Sequence, residues 1–128
     1  MLNYVFKFWK RRIEMQREAE IRFLVSLDEE NVPLKIQWDA THSDIEGMKP
    51  CNATMISIWD SEKKNTLSID LWTKDLTVEE INIHYFQTIM KMADTYQRAT
   101  NNKGVAEMIR TFGSEFADKA VKEFRVSK

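Results

Sequence analysis

The hydrophobic pattern of residues 20–38 alternates with a period of two, which is typical of β-strands with one buried face. Apolar side chains occupy every second position in residues 21–27 and again in residues 34–38. Between these runs, residues 28–31 read Asp-Glu-Glu-Asn, and Asp and Asn favour turns because their side chains bond to nearby backbone groups. Pro33 has no N–H donor and is therefore expected at the beginning of the second strand. Together these features predict a first β-hairpin.

A second hairpin is predicted in the middle of the chain. Residues 41–52 form the longest irregular segment, because Gly47 and Pro50 interrupt it. Residues 54–60 are rich in Thr, Ile and Trp, which favour a strand over a helix. A polar turn follows, and residues 67–72 again alternate apolar and polar side chains. Four consecutive strands with short links favour an antiparallel meander.

Two amphipathic helices are predicted in the last third of the chain. Thr77 and Glu80 match a capping box, in which each side chain accepts a hydrogen bond from the backbone N–H of the other residue. Apolar side chains then recur every three to four residues, as on one face of a helix. Residues 101–104 are expected to end the first helix, and a second helix runs on to Phe124. Gly113, inside that second helix, costs about 1 kcal/mol relative to alanine, and a close approach to a neighbour would explain it.

These elements predict an α+β fold, with a four-stranded antiparallel sheet (a meander of two hairpins) and two C-terminal helices packed on one face. The other face of the sheet would expose more apolar surface than an ordinary solvated sheet, and it is the predicted protein-interaction surface. Its large apolar residues are Leu24, Met55, Trp59 and Trp72. Three interpretations stay open for them: a homo-oligomer contact, burial under the N-terminal segment or a loop, or a strand phase shifted by one residue, which would exchange the two faces.

Length and composition are those of one globular domain. A chain of 128 residues can bury one core without a metal or disulfide, and its 43% hydrophobic and 30% charged content is not that of a disordered chain. The net charge of −1 gives no basic surface for nucleic acid. One cysteine fits a reducing compartment, and neither a long apolar run nor a signal-peptide pattern occurs. We therefore expect a cytoplasmic protein with no nucleic acid partner and no stable membrane insertion.

The first fourteen residues differ from the rest, because they carry four basic residues and one acidic residue beside several aromatics. We divide the chain into this N-terminal extension, residues 1–14, and a single α+β domain, residues 15–128. The extension has three interpretations. The first is a loosely docked segment. The second is an upstream reading-frame extension that is not native, with Met15 as the natural start. The third is a basic aromatic helix on a membrane surface.

No catalytic pattern is evident, and we expect neither enzymatic activity nor a cofactor. His42 and Cys51 share the irregular segment, but no second histidine and no orienting third group accompany them. Neither a metal site nor a nucleophilic pair is therefore favoured. His84 is expected on the solvated side of the first helix. Asp60 and Asp75 follow or end strands, where capping a turn is the commoner role of an aspartate.

The middle of the chain resembles a known family. From Trp59 to Asp75, the segments Trp-Asp-Ser, Lys-Asn-Thr-Leu and Ile-Asp-Leu-Trp-Thr-Lys-Asp follow one another, and this run resembles the GldC gliding-motility proteins. The other segments that fit the resemblance are 27–38, 92–95 and 98–100. The likeness implies a small accessory protein of the gliding apparatus and implies no known reaction.

The leading hypothesis is therefore a non-enzymatic protein that acts through protein–protein contacts. Its partners would be proteins of the gliding machinery on the cytoplasmic side, and a homo-oligomer is expected. The working surface would be the outer face of the sheet or the groove between the helices. An alternative is a polypeptide-binding module, because four strands followed by two helices is also the element order of the SecB-type export chaperone.

Overall fold

Strands precede helices in the computed structural model, which describes residues 16–126 and their side chains through Ala120. The strands are β1 (Ile21–Leu27), β2 (Pro33–Ala40), β3 (Lys49–Cys51), β4 (Ala53–Asp60) and β5 (Asn65–Trp72). The helices are α1 (Val78–Thr100) and α2 (Lys103–Val126). The chain forms two compact units, a strand unit that ends at Thr73 and a helical unit that begins at Lys74. The α+β class is confirmed, and the predicted extension, residues 1–14, lies outside the described residues.

The first hairpin forms as its alternation predicts. β1 and β2 pair antiparallel from Ile21 opposite Ala40 to Ser26 opposite Lys35, and a bulge follows. In the turn, the Asp28 carboxylate accepts hydrogen bonds from two backbone N–H groups further along, at 2.8 and 2.9 Å. Asn31 takes a left-handed backbone with φ of 64°. The turn chemistry expected from these two residue types is thereby confirmed, and β2 begins at the expected proline.

The prediction of one four-stranded sheet is wrong, because the strands form a three-stranded sheet, β1-β2-β3, and a two-stranded sheet, β4-β5. The short strand β3 lies inside the segment predicted to be irregular, and its Cys51 pairs with Ile36 of β2. Asn52 then bends the chain, and its carbonyl accepts the backbone N–H of Thr73 at 2.9 Å. The Thr73 hydroxyl also donates to Asn52 Oδ1 at 3.3 Å. Before this bend the chain pairs with β2 as β3, and after it the chain pairs with β5 as β4.

The second hairpin has an unbroken register, from Ala53 opposite Trp72 to Asp60 opposite Asn65. The capping role expected for Asp60 is confirmed, because its Oδ1 accepts the N–H groups of Glu62 and Lys63 at 2.9 and 3.1 Å. Lys64 closes the turn with φ of 54°. Since directly opposed residues share a face and faces alternate along a strand, every side chain of this hairpin is assigned to one of two faces.

The first helix begins and ends at polar caps. The predicted capping box is present: Thr77 Oγ1 accepts the Glu80 N–H at 3.1 Å, and the Glu80 carboxylate accepts the Thr77 N–H at 3.4 Å. At the other end Asn101 is left-handed, and its N–H donates to a carbonyl of the last turn at 2.8 Å. The break is shorter than predicted, because Asn102 Oδ1 accepts the Val105 N–H at 3.1 Å and starts the second helix at once.

The two helices pack along a seam of small residues. Ala93 and Ala106 are completely buried, and Gly113 is buried against Ile89 and Met90 of α1. A Cβ atom built on Gly113 would lie 2.8 Å from the Met90 sulfur and 3.1 Å from Ile89 Cγ2. The close approach expected at this glycine is therefore confirmed. The packing of the helices on a sheet face stays a prediction.

We expect Gly113→Ala to lower the free energy of unfolding by about 1 to 3 kcal/mol, because the new methyl group overpacks the seam. Gly104→Ala is the matched control: its Cβ would meet only Asn102 Oδ1, at 3.7 Å, so improved helix propensity should stabilise the protein by up to about 1 kcal/mol. Urea titration measures both. The double variant Met90→Ala, Gly113→Ala should recover part of the loss, and equal gains at the two glycines would contradict the seam.

Candidate functional site

Three of the four residues of the predicted interaction surface lie on one face of the β4–β5 hairpin. The register places Met55, Trp59 and Trp72 on the same side, with the two indoles 61% and 60% exposed and Met55 half-buried. Leu24 is also exposed, but it lies in the three-stranded sheet opposite Gln37. The structure therefore brings Met55, Trp59 and Trp72 together on one face and places Leu24 in the other sheet.

We call this face the tryptophan strip. It comprises Ala53, Met55, Ser57, Trp59, Thr66, Ser68, Asp70 and Trp72. Trp59 is near the turn and Trp72 pairs with Ala53 at the far end, so the indoles lie roughly 20 Å apart along the strand. Serine and aspartate side chains occupy the middle of the strip. An arrangement of exposed aromatic anchors around polar hydrogen-bonding groups is typical of surfaces that bind proteins.

The opposite face of the same hairpin is aliphatic. It carries Ile56, Ile58, Leu67, Ile69 and Leu71. Ile58, Leu67 and Ile69 are each nearly half exposed, so the hairpin presents apolar surface on both of its faces. A two-stranded sheet is only marginally stable by itself in water, and exposure on both faces marks this hairpin as a place where additional contacts would be stabilising.

The helical unit has a second apolar surface beside its seam. The rings of Tyr85 and Phe116 stack with centroids 6.3 Å apart, and Met92, Met108 and Phe112 are exposed. The small-residue seam closes part of the groove between the helices, which is the other predicted working surface. A shallow hollow of about 320 Å³ remains on α2, and its lining combines Phe112 and Phe116 with Glu115, Lys119 and Ala120.

A second hollow between the helices is polar and is occupied by an ion-pair network. Arg110 donates to Asp94 at 2.9 Å and to Gln97 at 2.8 Å, and it also pairs with Glu107. The hydrogen bond to Asp94 and then that to Glu107 raise the pKa of the guanidinium above its ordinary value. Because its donors are already engaged, we interpret this arginine as a link between the helices.

The irregular segment after β2 is organised by a lysine that the sequence did not single out. The Lys49 ammonium donates to the carbonyls of Ile45 and Gly47 at 2.7 and 3.0 Å and to the Ser43 hydroxyl at 3.0 Å. It also lies 4.5 Å from the centre of the Trp38 ring, a cation–π distance. The side chain is only 13% exposed. No sequence pattern indicated this cluster, because two of its four acceptors are backbone carbonyls and the others, Asp39 and Ser43, lie ten and six residues away.

Asp39 and Cys51 border the Lys49 cluster. Burial would raise the pKa of Asp39, but the Ala40 N–H and the Lys49 ammonium, with Arg22, together lower it. Burial raises the pKa of the Cys51 thiol, and a hydrogen bond from the Ala53 backbone offsets this only in part. A thiol with a raised pKa is protonated at neutral pH, so Cys51 is a weak nucleophile. His42 lies in the exposed loop, with φ of 65°.

His84 differs from its expected solvated state. It is half-buried, and its Nε2 atom is shielded from solvent without a hydrogen-bond partner among the described residues. Ile81 and Thr88, three and four residues away, lie on the same side of α1 and are also half-buried. The polar residues near His84 in the sequence did not indicate its burial. Within the described part of the chain, no three histidine, cysteine, aspartate or glutamate side chains are grouped so as to hold a metal ion.

These features define a class of protein: a small α+β protein whose notable surfaces are exposed apolar strips. A family model described as gliding motility-associated protein GldC-like matches residues 33–122, and the chain belongs to this family. No curated protein and no solved structure matches the chain. Neither described helix combines the length and the apolar content that crossing a bilayer requires.

We expect Lys49→Met to lower the free energy of unfolding by about 1 to 3 kcal/mol, because four acceptors lose a charged donor while the apolar stem is kept. Lys35→Met is the matched control: Lys35 is exposed on β2, so its effect should stay within about 0.5 kcal/mol. Urea titration compares the two variants. Equal stabilities would show that the Lys49 cluster does not organise the segment.

Cys51 should react slowly with iodoacetamide in the folded protein. At pH 8 we expect alkylation several-fold slower than in the same chain unfolded in urea, because the folded state favours the neutral thiol. By linkage, the stability that Cys51 contributes is fully present below the ordinary thiol pKa of 9.0 and is lost as the pH rises through the raised folded value. Faster labelling in the folded state would instead indicate an activated nucleophile.

Proposed function

We propose that this protein is a non-enzymatic component of the gliding apparatus that binds a protein partner through its tryptophan strip. Family membership supports the association with gliding motility. The single observation that carries the finer proposal is the exposure of Trp59 and Trp72, each about 60% accessible on the same face of one hairpin.

The physical argument rests on what two exposed indoles do in water. A tryptophan buries roughly 150–250 Å² when covered, so each exposed ring of the strip keeps on the order of 100 Å² available for contact. Tryptophans are enriched among the few residues that supply most of the binding energy of protein interfaces. The polar groups between them, Ser57, Ser68 and Asp70, would orient a partner by hydrogen bonds.

The chemistry of the reactive side chains supports a binding role over a catalytic one. A general base or nucleophile needs a tuned pKa and a geometry that aims it at a substrate. Burial keeps the Cys51 thiol protonated, and Lys49 is committed to backbone carbonyls and an indole ring. Exposed apolar side chains such as Trp59 and Trp72 favour contact with another macromolecule.

The alternative function, binding of unfolded polypeptide chains as by the SecB-type chaperone, is favoured by the distribution of exposed apolar groups. They occur on both hairpin faces and on the helical unit, where Met92 and Met108 are flexible side chains that adapt to varied ligands. Broad affinity for several reduced, unfolded test proteins would support this alternative. Selective binding of one folded partner would support the leading proposal.

We expect the double variant Trp59→Asp, Trp72→Asp to lose its partner while keeping its fold, because two carboxylates replace the apolar anchors. The measurement is quantitative affinity isolation from gliding cells, with gliding speed in cells that lack the gene as a second readout. The matched control is Ile45→Asp, Val78→Asp, which adds the same charge at exposed apolar positions outside the strip.

Different results are expected if the strip is the docking surface and if it is not. Loss of gliding proteins and of gliding speed in the tryptophan variant, with both retained in the control, would support the strip as the docking surface. Retention of both by the tryptophan variant, with circular dichroism unchanged, would remove the strip from consideration. Light scattering on the same samples reports whether the two tryptophans contribute to contacts between copies of the chain.

A further inference from the structure

The outer edge of β5 lacks the protective features that the edge strands β1 and β3 carry. Within the described residues, β5 pairs only with β4. It is eight residues long, contains no proline, lysine or bulge, and its first six residues are exposed. By contrast, β3 has three residues and includes Lys49 and Pro50, and β1 carries a bulge. Long, regular, unprotected edges are templates for pairing with another strand.

The direction of the backbone groups on this edge follows from one hydrogen bond. The Thr73 N–H donates to the Asn52 carbonyl, so these two residues form a hydrogen-bonded pair at the end of the ladder. Such pairs alternate along antiparallel strands. The odd-numbered residues of β5 therefore bond to β4. The even-numbered residues direct their N–H and C=O groups outward, and they are Thr66, Ser68, Asp70 and Trp72.

We propose that β5 pairs antiparallel with β5 of a second copy of this chain about a twofold axis, so that two hairpins form one four-stranded sheet. A twofold axis perpendicular to the sheet keeps each face on its own side. The aliphatic faces of the two hairpins then become continuous, and so do the two tryptophan strips. The inference thus extends the proposed function, since a dimer would present one doubled docking surface.

One register of this pairing is favoured over its neighbours. With the axis at Ile69, Thr66 lies opposite Trp72 of the second copy and Ser68 lies opposite its Asp70. All four outward residues of each copy then pair, giving about eight backbone hydrogen bonds between copies. Moving the axis by one residue in either direction leaves only about six. Moving it to Asp70 would also set two carboxylates directly opposite one another, which is destabilising.

The side chains of the favoured register are self-complementary. On the aliphatic face, Ile69 meets its own copy and Leu67 meets Leu71 of the second chain, so apolar residues face apolar residues. On the other face, the Asp70 carboxylate lies opposite a serine hydroxyl, which can donate a hydrogen bond to it. A second copy therefore fits this edge with matched polarity on both faces, a property that an arbitrary extended strand would not have.

Cysteine cross-linking tests both the dimer and its register. In a Cys51→Ser background, Ile69→Cys should form a disulfide between copies on mild oxidation, because a non-hydrogen-bonded pair places its Cα atoms about 4.5 Å apart, within disulfide range. Leu67→Cys alone is the matched control and should not cross-link, whereas a mixture of Leu67→Cys and Leu71→Cys chains should. Equal cross-linking of all three single variants would overturn the register.

Light scattering tests the edge itself. The wild-type chain should show twice the mass of one chain, and Ser68→Pro should halve that mass because it removes an outward N–H. Ser57→Pro is the matched control: Ser57 lies opposite Ser68 on β4, its N–H points away from β5, and it should leave the mass unchanged. A wild-type mass of one chain would overturn the proposal. Should Ser68→Pro fail to fold, the cross-linking series still decides.

Failure of this inference and failure of the proposed function give different results. A monomeric chain that still captures gliding proteins through its tryptophans would overturn the dimer and leave the docking role standing. A dimer that cross-links at Ile69 but loses nothing in the Trp59→Asp, Trp72→Asp variant would support the edge pairing and remove the strip. The two properties are therefore separable by experiment.

Discussion

The unbroken antiparallel ladder between β4 and β5 is the constraint on which the functional interpretation depends. Its period of two assigns each side chain of the hairpin to one face, and the Asp60 cap and the Asn52–Thr73 hydrogen bonds hold its two ends. Without that register, Trp59 and Trp72 would be two unrelated exposed residues. With it, they are the ends of one strip, and the alternate residues form an aliphatic face behind it.

A different principle holds the helical unit together. There the contact is made by small residues, Ala93, Ala106 and Gly113, which let the two backbones approach closely. The large apolar side chains are consequently displaced to the sides of the seam, where Met92, Met108 and Phe112 stay accessible. Tight packing between the helices and exposed apolar surface beside them are thus two results of the same choice of residues.

In both units few of the described side chains are reactive, and many apolar side chains are accessible. Lys49 organises a loop through its several acceptors, and burial raises the pKa of the Cys51 thiol further above neutrality. Membership of the GldC-like family places the chain among gliding motility-associated proteins. The proposed role in protein contacts rests on the exposed tryptophans and on the unpaired edge of β5.

Local patterns in the sequence predicted six of the seven described elements, all but β3. Alternation predicted β1, β2 and β5, and residue composition predicted β4. The Thr77–Glu80 box predicted the start of the first helix, and aspartate and asparagine predicted the turns, because these features depend on groups a few residues apart. Strand pairing depends on distant groups. The bend at Asn52, which divides the expected single sheet in two, was therefore decided only by the tertiary structure. The same holds for the Lys49 cluster and for the free edge of β5, since neither backbone acceptors nor a missing neighbour leaves a trace in the order of residues.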